Sequence, residues 1–332
     1  MRRICALLLT LFLLLCSFAA CGEPGRPAPE TRETETAVRE TETAFDPALL
    51  DTVHPALWRV TGPEGETLYL FGTIHLGDER SLAALENVRP YLDTCDALAV
   101  EFDTVAYQRD LSQAARDMAN FVYTDGTTIR DHLPGTLYEE ARQYLKDARM
   151  YSALYDRYNV AMWSQLLDQA LLSEGRLDTE KAMDSLLLGY AYKEDLEILE
   201  LESASFQYRI LLDTPEEVHI LSMREVLDLG KLYTEQVELM YDCWCRGDPE
   251  AMMDSSSTSG DMTYTEEQIR MLEDYENAMI HNRNAGMAEK ATGYLESGKT
   301  VFLAVGAGHM IGETGLVNTL ETAGYTVERI GT

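Results

Sequence analysis

The chain has 332 residues, with 57 Asp and Glu against 27 Lys and Arg and a formal net charge of -30. Such a surface excludes a nucleic-acid partner and repels anionic headgroups. The acidic residues are spread along the helical segments, as in a solubilising surface, and are not gathered into a patch for basic peptides. Three of the six cysteines lie in the first 21 residues, so Cys95, Cys243 and Cys245 are too few for a disulfide framework and read as packing residues.

Arg2 and Arg3 precede an apolar run from Ile4 to about Leu15 that ends in small residues. The run is too short to span a bilayer and reads as a secretory signal over residues 1–20. Ala19-Ala20-Cys21 resembles a bacterial lipobox, with Phe18 in place of the usual Leu. Acylation of Cys21 would give an exported lipoprotein, anchored on the extracytoplasmic face of a bacterial membrane; simple cleavage is the alternative. Residues 21–50 follow as an expected tether. Pro24, Pro27 and Pro29 lead into two copies of Arg-Glu-Thr-Glu-Thr-Ala, starting at Arg32 and Arg39. A segment so rich in Glu, Thr and Pro buries too little to offset its ordering entropy. Residues 51–332 are left as a single domain.

The turn signal Gly62-Pro63-Glu64-Gly65 separates Leu57–Val60 from Thr67–Phe71, which predicts a hairpin. A helix over Ser81–Leu92 then leads to the apolar strand Ala97–Val100. Helical spacing dominates from Thr104 to Lys193, with turns near Asp125-Gly126 and Pro134-Gly135. Leu196 to Glu202 alternates and reads as a strand. Further helices fill Pro215 to about Ser297, broken at Gly247-Asp248-Pro249 and at Ser255 to Gly260. Cys243-Trp244-Cys245 falls in one of them, where residues two apart point away from each other. Val301–Val305, a helix over Gly315–Ala323 and Thr326–Ile330 complete a βαβ ending. The expected fold class is α/β, in the mixed α+β sense. A central mixed sheet is built from N- and C-terminal βαβ segments, with a long all-helical middle insertion. Tyr138, Tyr144, Tyr151, Tyr155 and Tyr158 recur through the middle, as core packing or as a substrate groove.

Two segments share one design, an apolar run followed by Gly-x-x-His: Leu68 to His75, with Gly72, and Val301 to His309, with Gly306. With 22 Gly and 6 His, roughly 0.4 such matches are expected by chance. Each histidine falls at or just past a strand end, where α/β proteins assemble their sites. Glu101 ends a third apolar run. Burial would make its carboxylate costly unless it were paired, protonated or bound to a cation; a solvated strand end is the ordinary alternative. Two imidazoles and a carboxylate are a common ligand set for a catalytic divalent metal.

These residues resemble the TraB/PrgY/GumN family, which includes the Tiki-type metalloproteases and is distantly similar to erythromycin esterase and ChaN-like proteins. The resemblance runs from Leu57 to Ile330. It rests on Gly72 to Gly77, Glu101, and Gly306-Ala307-Gly308-His309 through Gly312, Gly315, Leu316, Leu320 and Gly324 to Val327. Ala182-Met183-Asp184, Leu201-Glu202 with Gln207, and Arg283-Asn284 with Met287 fit its middle elements. Ala182 stands where a glycine is frequent, and Met310-Ile311 where many relatives have Leu-Ala. The resemblance raises the standing of Asp184 as a residue facing the site.

The resemblance implies metal-assisted hydrolysis of an amide in a peptide or protein at the cell surface. His75, Glu101 and His309 would hold the cation, with Glu101 as general base the alternative. Arg283 would stabilise an oxyanion or orient a carboxylate, and Asn284 would donate a hydrogen bond. Tiki-type relatives favour manganese or cobalt over zinc, whereas ligand softness permits all three. TraB-like relatives, associated with shutting off pheromone signalling, also admit a non-catalytic peptide-sequestering protein. The esterase similarity admits hydrolysis of a small ester with His75 as a metal-free base.

Overall fold

The structure, a computed structural model, describes residues 45–256 and 263–331. The expected leader, Cys21, most of the tether and Ser257 to Gly260 lie outside these residues. The described chain is already packed before residue 51: Pro47–Asp51 form a 3-10 turn, and Phe45, Leu49 and Leu50 lie against the core.

Gly65, at φ 96°, turns the chain between β1 (Leu57–Thr61) and β2 (Thr67–Thr73), which pair antiparallel. Helix α1 (Glu79–Leu92) starts on Asp78, whose side chain accepts from the Arg80 N–H, and leads into β3 (Ala97–Val100). The helical middle then runs through α2 (Thr104–Arg109), α3 (Leu111–Ala119), α4 (Ile129–His132), α5 (Gly135–Asp147), α6 (Val160–Leu172) and α7 (Met183–Lys193). Every residue of α6 except Gln169 is buried, so this helix is the centre of the insertion. The short strand β4 (Glu197–Glu200) follows. Helices α8 (Ala204–Asp213), α9 (Glu216–Leu229), α10 (Lys231–Cys245), α11 (Pro249–Ser256) and α12 (Glu266–Glu276) come next. A π-helical turn over Asn277–His281 joins α12 to α13 (Asn282–Glu296). Strand β5 (Val301–Gly306), α14 (Leu316–Thr322) and β6 (Thr326–Ile330) end the chain.

Among the described residues the sheet order is β4-β3-β5-β2-β1-β6. The first four strands are mutually parallel, and β1 runs against both of its neighbours. The fold is therefore α/β with a mixed sheet built from both ends of the chain and, at one edge, from β4 of the middle, so the expected all-helical insertion is interrupted by a strand. The closing β5-α14-β6 unit is wider than a simple βαβ, because β2 and β1 lie between its two strands.

Alternation along the strands divides the core. Phe71, Leu98, Val100, Phe302 and Ala304 face the helical middle, whereas Leu68, Leu70, Ala97, Ala99, Val301, Leu303 and Val305 pack with residues of α13 and α14. Strands covered on both faces read as continuous apolar runs, as these do. Burying a side chain such as Phe71 or Phe302 completely contributes about 1.5–3 kcal/mol.

Candidate active site

Parallel pairing places four candidate side chains at the carboxyl ends of the strands. His75 follows β2, Glu101 follows β3, Glu202 follows β4 and His309 follows β5. Strand β5 lies between β2 and β3, with Gly306 level with Thr73 and Ala304 level with Val100. The second Gly-x-x-His is thereby inserted between the first one and Glu101. Carboxyl ends of parallel strands are the usual place for a site in an α/β sheet.

His75 is oriented by the start of α7. Backbone bonds from Gly77 N–H to the Asp178 carbonyl (2.9 Å) and from Met183 N–H to the Ile74 carbonyl (3.1 Å) hold the two segments together. Asp184, in the first turn of α7, accepts from Thr73 Oγ1 at 2.6 Å and from His75 Nδ1 at 2.9 Å. Its carboxylate only accepts, so the His75 proton must sit on Nδ1 and Nε2 is left for the cleft. Burial would lower the His75 pKa, but the charge and hydrogen bond of Asp184 outweigh it and lift the pKa to about 9.

His309 lies in a 3-10 turn over Ala307–His309 and is buried. Its Nδ1 donates to Asn284 Oδ1 at 2.6 Å, and Asn284 Nδ2 donates to the Thr314 carbonyl at 2.9 Å. That second bond fixes which way the amide faces, and the amide fixes the ring tautomer. Burial pushes the His309 pKa down to about 3, so the ring is neutral at neutral pH.

Glu101 is held from three sides. Oε1 accepts from the Gly306 N–H at 2.9 Å, and Oε2 accepts from Gln207 Nε2 at 2.8 Å and from Arg283 Nη2. Burial opposes ionisation, yet Arg283 leads the charges and dipoles that hold the carboxyl well below the usual carboxylate range. Arg283 also grips Glu202 through Nε (3.0 Å) and Nη2 (2.8 Å), and its Nη1 donates to the Met279 carbonyl in the π-helical turn at 2.8 Å. Its side chain is 2% exposed, beside carboxylates that are 11% and 9% exposed, so this is a buried ionic cluster.

Glycine is required at 72 for close packing, whereas at 306 it leaves open space beside the site. A Cβ on Gly72 would lie 2.9 Å from Cα and Cβ of Ala307, so its absence lets the two Gly-x-x-His segments pack together. The corresponding point at Gly306 is 3.4 Å from Glu101 Oε1, 3.7 Å from His309 Cδ2 and 4.0 Å from His75 Nε2. One empty point thus has all three groups within 4.0 Å of it. His309 Nε2 and Glu101 Oε1 are themselves 4.0 Å apart.

Anchoring an imidazole through Nδ1–H is how metal-ligating histidines are commonly held, and these two rings share that anchoring. Among the described residues, however, no group of three or more His, Cys, Asp or Glu side chains is placed so that it could hold a metal ion as it stands. Side-chain adjustment would be needed to enclose an ion.

A cleft opens over these groups, its roughly 650 Å³ of empty space including open solvent at the mouth. One side is polar, with His75, Glu101, Arg283 and His309. The other is apolar, with Ile74, Met240, Met252, Met279 and Ile280. No aromatic side chain among the described residues lines it. Tyr138 is instead buried against Trp163, with ring centroids 5.5 Å apart, and the other four tyrosines of the middle are half-buried against the core. Cys95, Cys243 and Cys245 are free thiols.

Sequence reasoning named His75, Glu101, His309, Arg283 and Asn284, and all five meet at this site. Arg283 donates to Glu101 and Glu202, and Asn284 accepts from His309, which differs from their expected service to substrate. Asp184, Glu202 and Gln207 were marked only as fragments of a resemblance. Thr73, Thr314 and the methionines carried no signal, because their spacing is that of ordinary core residues. No curated protein and no solved structure gives a significant match to the chain. The stretch from residue 56 to 329, which contains both Gly-x-x-His segments, Glu101 and Arg283, matches the TraB/PrgY/gumN family, and the chain belongs to that family.

Proposed function

We propose that this protein is a metal-dependent hydrolase that cleaves amide bonds in peptides or proteins. The observation that carries this reading is the pair of anchored imidazoles. His75 and His309 are each tied through Nδ1 to a fixed acceptor, His309 Nε2 lies 4.0 Å from Glu101 Oε1, and His75 Nε2 faces the same space, where a cation would have to displace the proton that Asp184 favours on that ring. These three side chains would hold the cation. A bound manganese, cobalt or zinc ion supplies Lewis acidity to a substrate carbonyl and acidifies water.

The remaining residues set the state of that trio. Arg283, Gln207 and the Gly306 N–H keep Glu101 ionised and aimed, which suits a ligand better than a base that must take up a proton. Asp184 and Asn284 fix the ring orientations, and Thr73 and Thr314 fix Asp184 and Asn284 in turn. We also propose that Cys21 is acylated, holding the domain at the outer face of the membrane. Labelling by a fatty-acid analogue should be lost in Cys21→Ala; equal labelling of both proteins would rule the anchor out.

Two other readings have support. The Thr73-Asp184-His75 chain resembles an acid-histidine pair and favours metal-free ester hydrolysis, although a ring with a pKa of about 9 is protonated at neutral pH and is a poor base there. The apolar wall favours sequestration of a peptide without cleavage. The three are separated by measuring bound metal and turnover of a mixed peptide library with and without chelator, in wild type and His309→Ala. We expect chelator-sensitive turnover that falls by orders of magnitude in the variant, together with its metal content. Binding without turnover, or ester turnover indifferent to chelator, would replace the proposal with one of the alternatives.

A further inference from the structure

We propose that the cleft takes the interior of a peptide chain and seats a large uncharged side chain, of the leucine, methionine or phenylalanine class, beside the bond to be cut. The inference rests on the hydrolytic reading above and adds a substrate class to it.

The cleft is two-sided. Its polar side is made at the strand ends, and its apolar side comes from α10, α11 and the π-helical turn. Met240, Met252, Met279 and Ile74 are 3–5% exposed, so their remaining accessible surface is the wall of the cleft itself. A charged side chain placed there would lose its water and find no partner on that wall. Three thioether side chains are unbranched and adaptable, so the wall should accept several large apolar shapes and not one alone.

The end groups argue for an interior segment. A free terminal carboxylate needs an uncommitted cation, and a terminal amine needs an uncommitted carboxylate. Among the described residues lining the cleft, the cation Arg283 is committed to Glu101, Glu202 and the Met279 carbonyl. Glu101 is committed to Arg283, Gln207 and the Gly306 N–H, His75 to Asp184, and His309 to Asn284. Nothing there is left to count residues from a chain end. In the reaction the amide C–N bond breaks, the hydroxyl of water goes to the carbonyl carbon, and its proton goes to the departing nitrogen.

The test uses the full chain and fluorescent heptapeptides, acetylated and amidated at their ends, that differ only in a central Leu, Met, Phe, Ala, Glu or Lys. Binding is read by anisotropy in chelator, and cleavage by mass spectrometry with metal added. The Leu, Met and Phe peptides should bind about tenfold or more tighter than the Glu and Lys peptides, and unblocking either end should change affinity by no more than about twofold. Met252→Glu should move the preference toward the Lys peptide; the wild-type series decides the matter even if that variant fails to fold. Equal affinity across the series, or a gain of about tenfold on freeing one terminus, would overturn the proposal. Apolar preference without any cleavage would keep this substrate class and remove the hydrolase reading. Cleavage without preference would do the reverse.

Discussion

Asn284 and His309, 25 residues apart in sequence, are joined by a 2.6 Å hydrogen bond that decides which nitrogen of His309 faces the cleft. The amide cannot rotate freely, because its own nitrogen is bonded to the Thr314 carbonyl. A residue expected to serve substrate is therefore a positioning residue for a candidate ligand.

Asn284→Ala should lower divalent-metal affinity by about 10- to 100-fold, as loss of a partner behind a ligating imidazole generally does. Asn284→Asp should restore most of it, since a carboxylate oxygen accepts the same Nδ1–H. Equilibrium dialysis with manganese, with circular dichroism to confirm folding, provides the measurement. Equal affinity in Asn284→Ala and wild type would remove His309 from the ligand set.

The two motif glycines should respond differently to substitution. Gly72→Ala pushes a methyl group to 2.9 Å from Cα and Cβ of Ala307, and overpacking of that kind costs about 1–3 kcal/mol. At Gly306 the backbone, at φ -47° and ψ 135°, suits any residue, and the nearest atom is the Glu101 carboxylate at 3.4 Å. Gly306→Ala should therefore unfold within about 1 kcal/mol of wild type while losing metal binding and turnover. Urea unfolding of both variants, with turnover measured alongside, checks the contrast. An active Gly306→Ala protein would mean that the space between the three groups is not used.

The apolar runs at Leu68–Phe71, Ala97–Val100 and Val301–Val305 were legible as strands because both faces are covered, and the residues closing them were legible as a site for the same reason. Strand order was not legible. The placement of β5 between β2 and β3 depends on pairing across more than two hundred residues, and no local pattern encodes it. Helix α8 has no clear sequence signal: its cap, Ser203 accepting from the Phe206 N–H at 3.2 Å, looks in sequence like any serine. The roles of Arg283 and Asn284 were hidden for a related reason. A sequence shows a donor but not which distant acceptor it meets.

Arg283 is the only cation that the buried Glu101–Glu202 pair contacts among the described residues. Arg283→Met would leave two carboxylates buried side by side without the guanidinium that contacts both, and breaking a buried pair in this way costs about 3–5 kcal/mol. Adding Glu202→Gln should recover part of that loss by removing one of the stranded charges. Denaturant midpoints of the single and double variants measure both effects. If Arg283→Met is as stable as wild type, the cluster is hydrated and its charge does not control Glu101.

His219 offers a pH test away from the site. It is buried, its Nε2 donates to the Leu211 carbonyl at 3.0 Å, and burial holds its pKa below the usual 6.5. The folded state therefore binds fewer protons than the unfolded state once the pH falls below about 6.5, so stability drops with falling pH, by up to about 1.4 kcal/mol per pH unit for one proton. His309, also held neutral by burial, adds to the same fall. His75 acts in the opposite sense, and in another window. Its folded pKa of about 9 adds stability as the pH drops from about 9 to 6.5, and below that range its contribution is complete. Metal-free protein should consequently be most stable near pH 6.5 and lose stability toward pH 5, where most carboxylates are still ionised. His219→Gln, which can keep a donor for Leu211, should make that acid limb shallower by about one proton's slope. Urea unfolding at half-unit steps from pH 5 to 9 gives both limbs, and an unchanged acid limb in the variant would show that His219 is protonated within the fold.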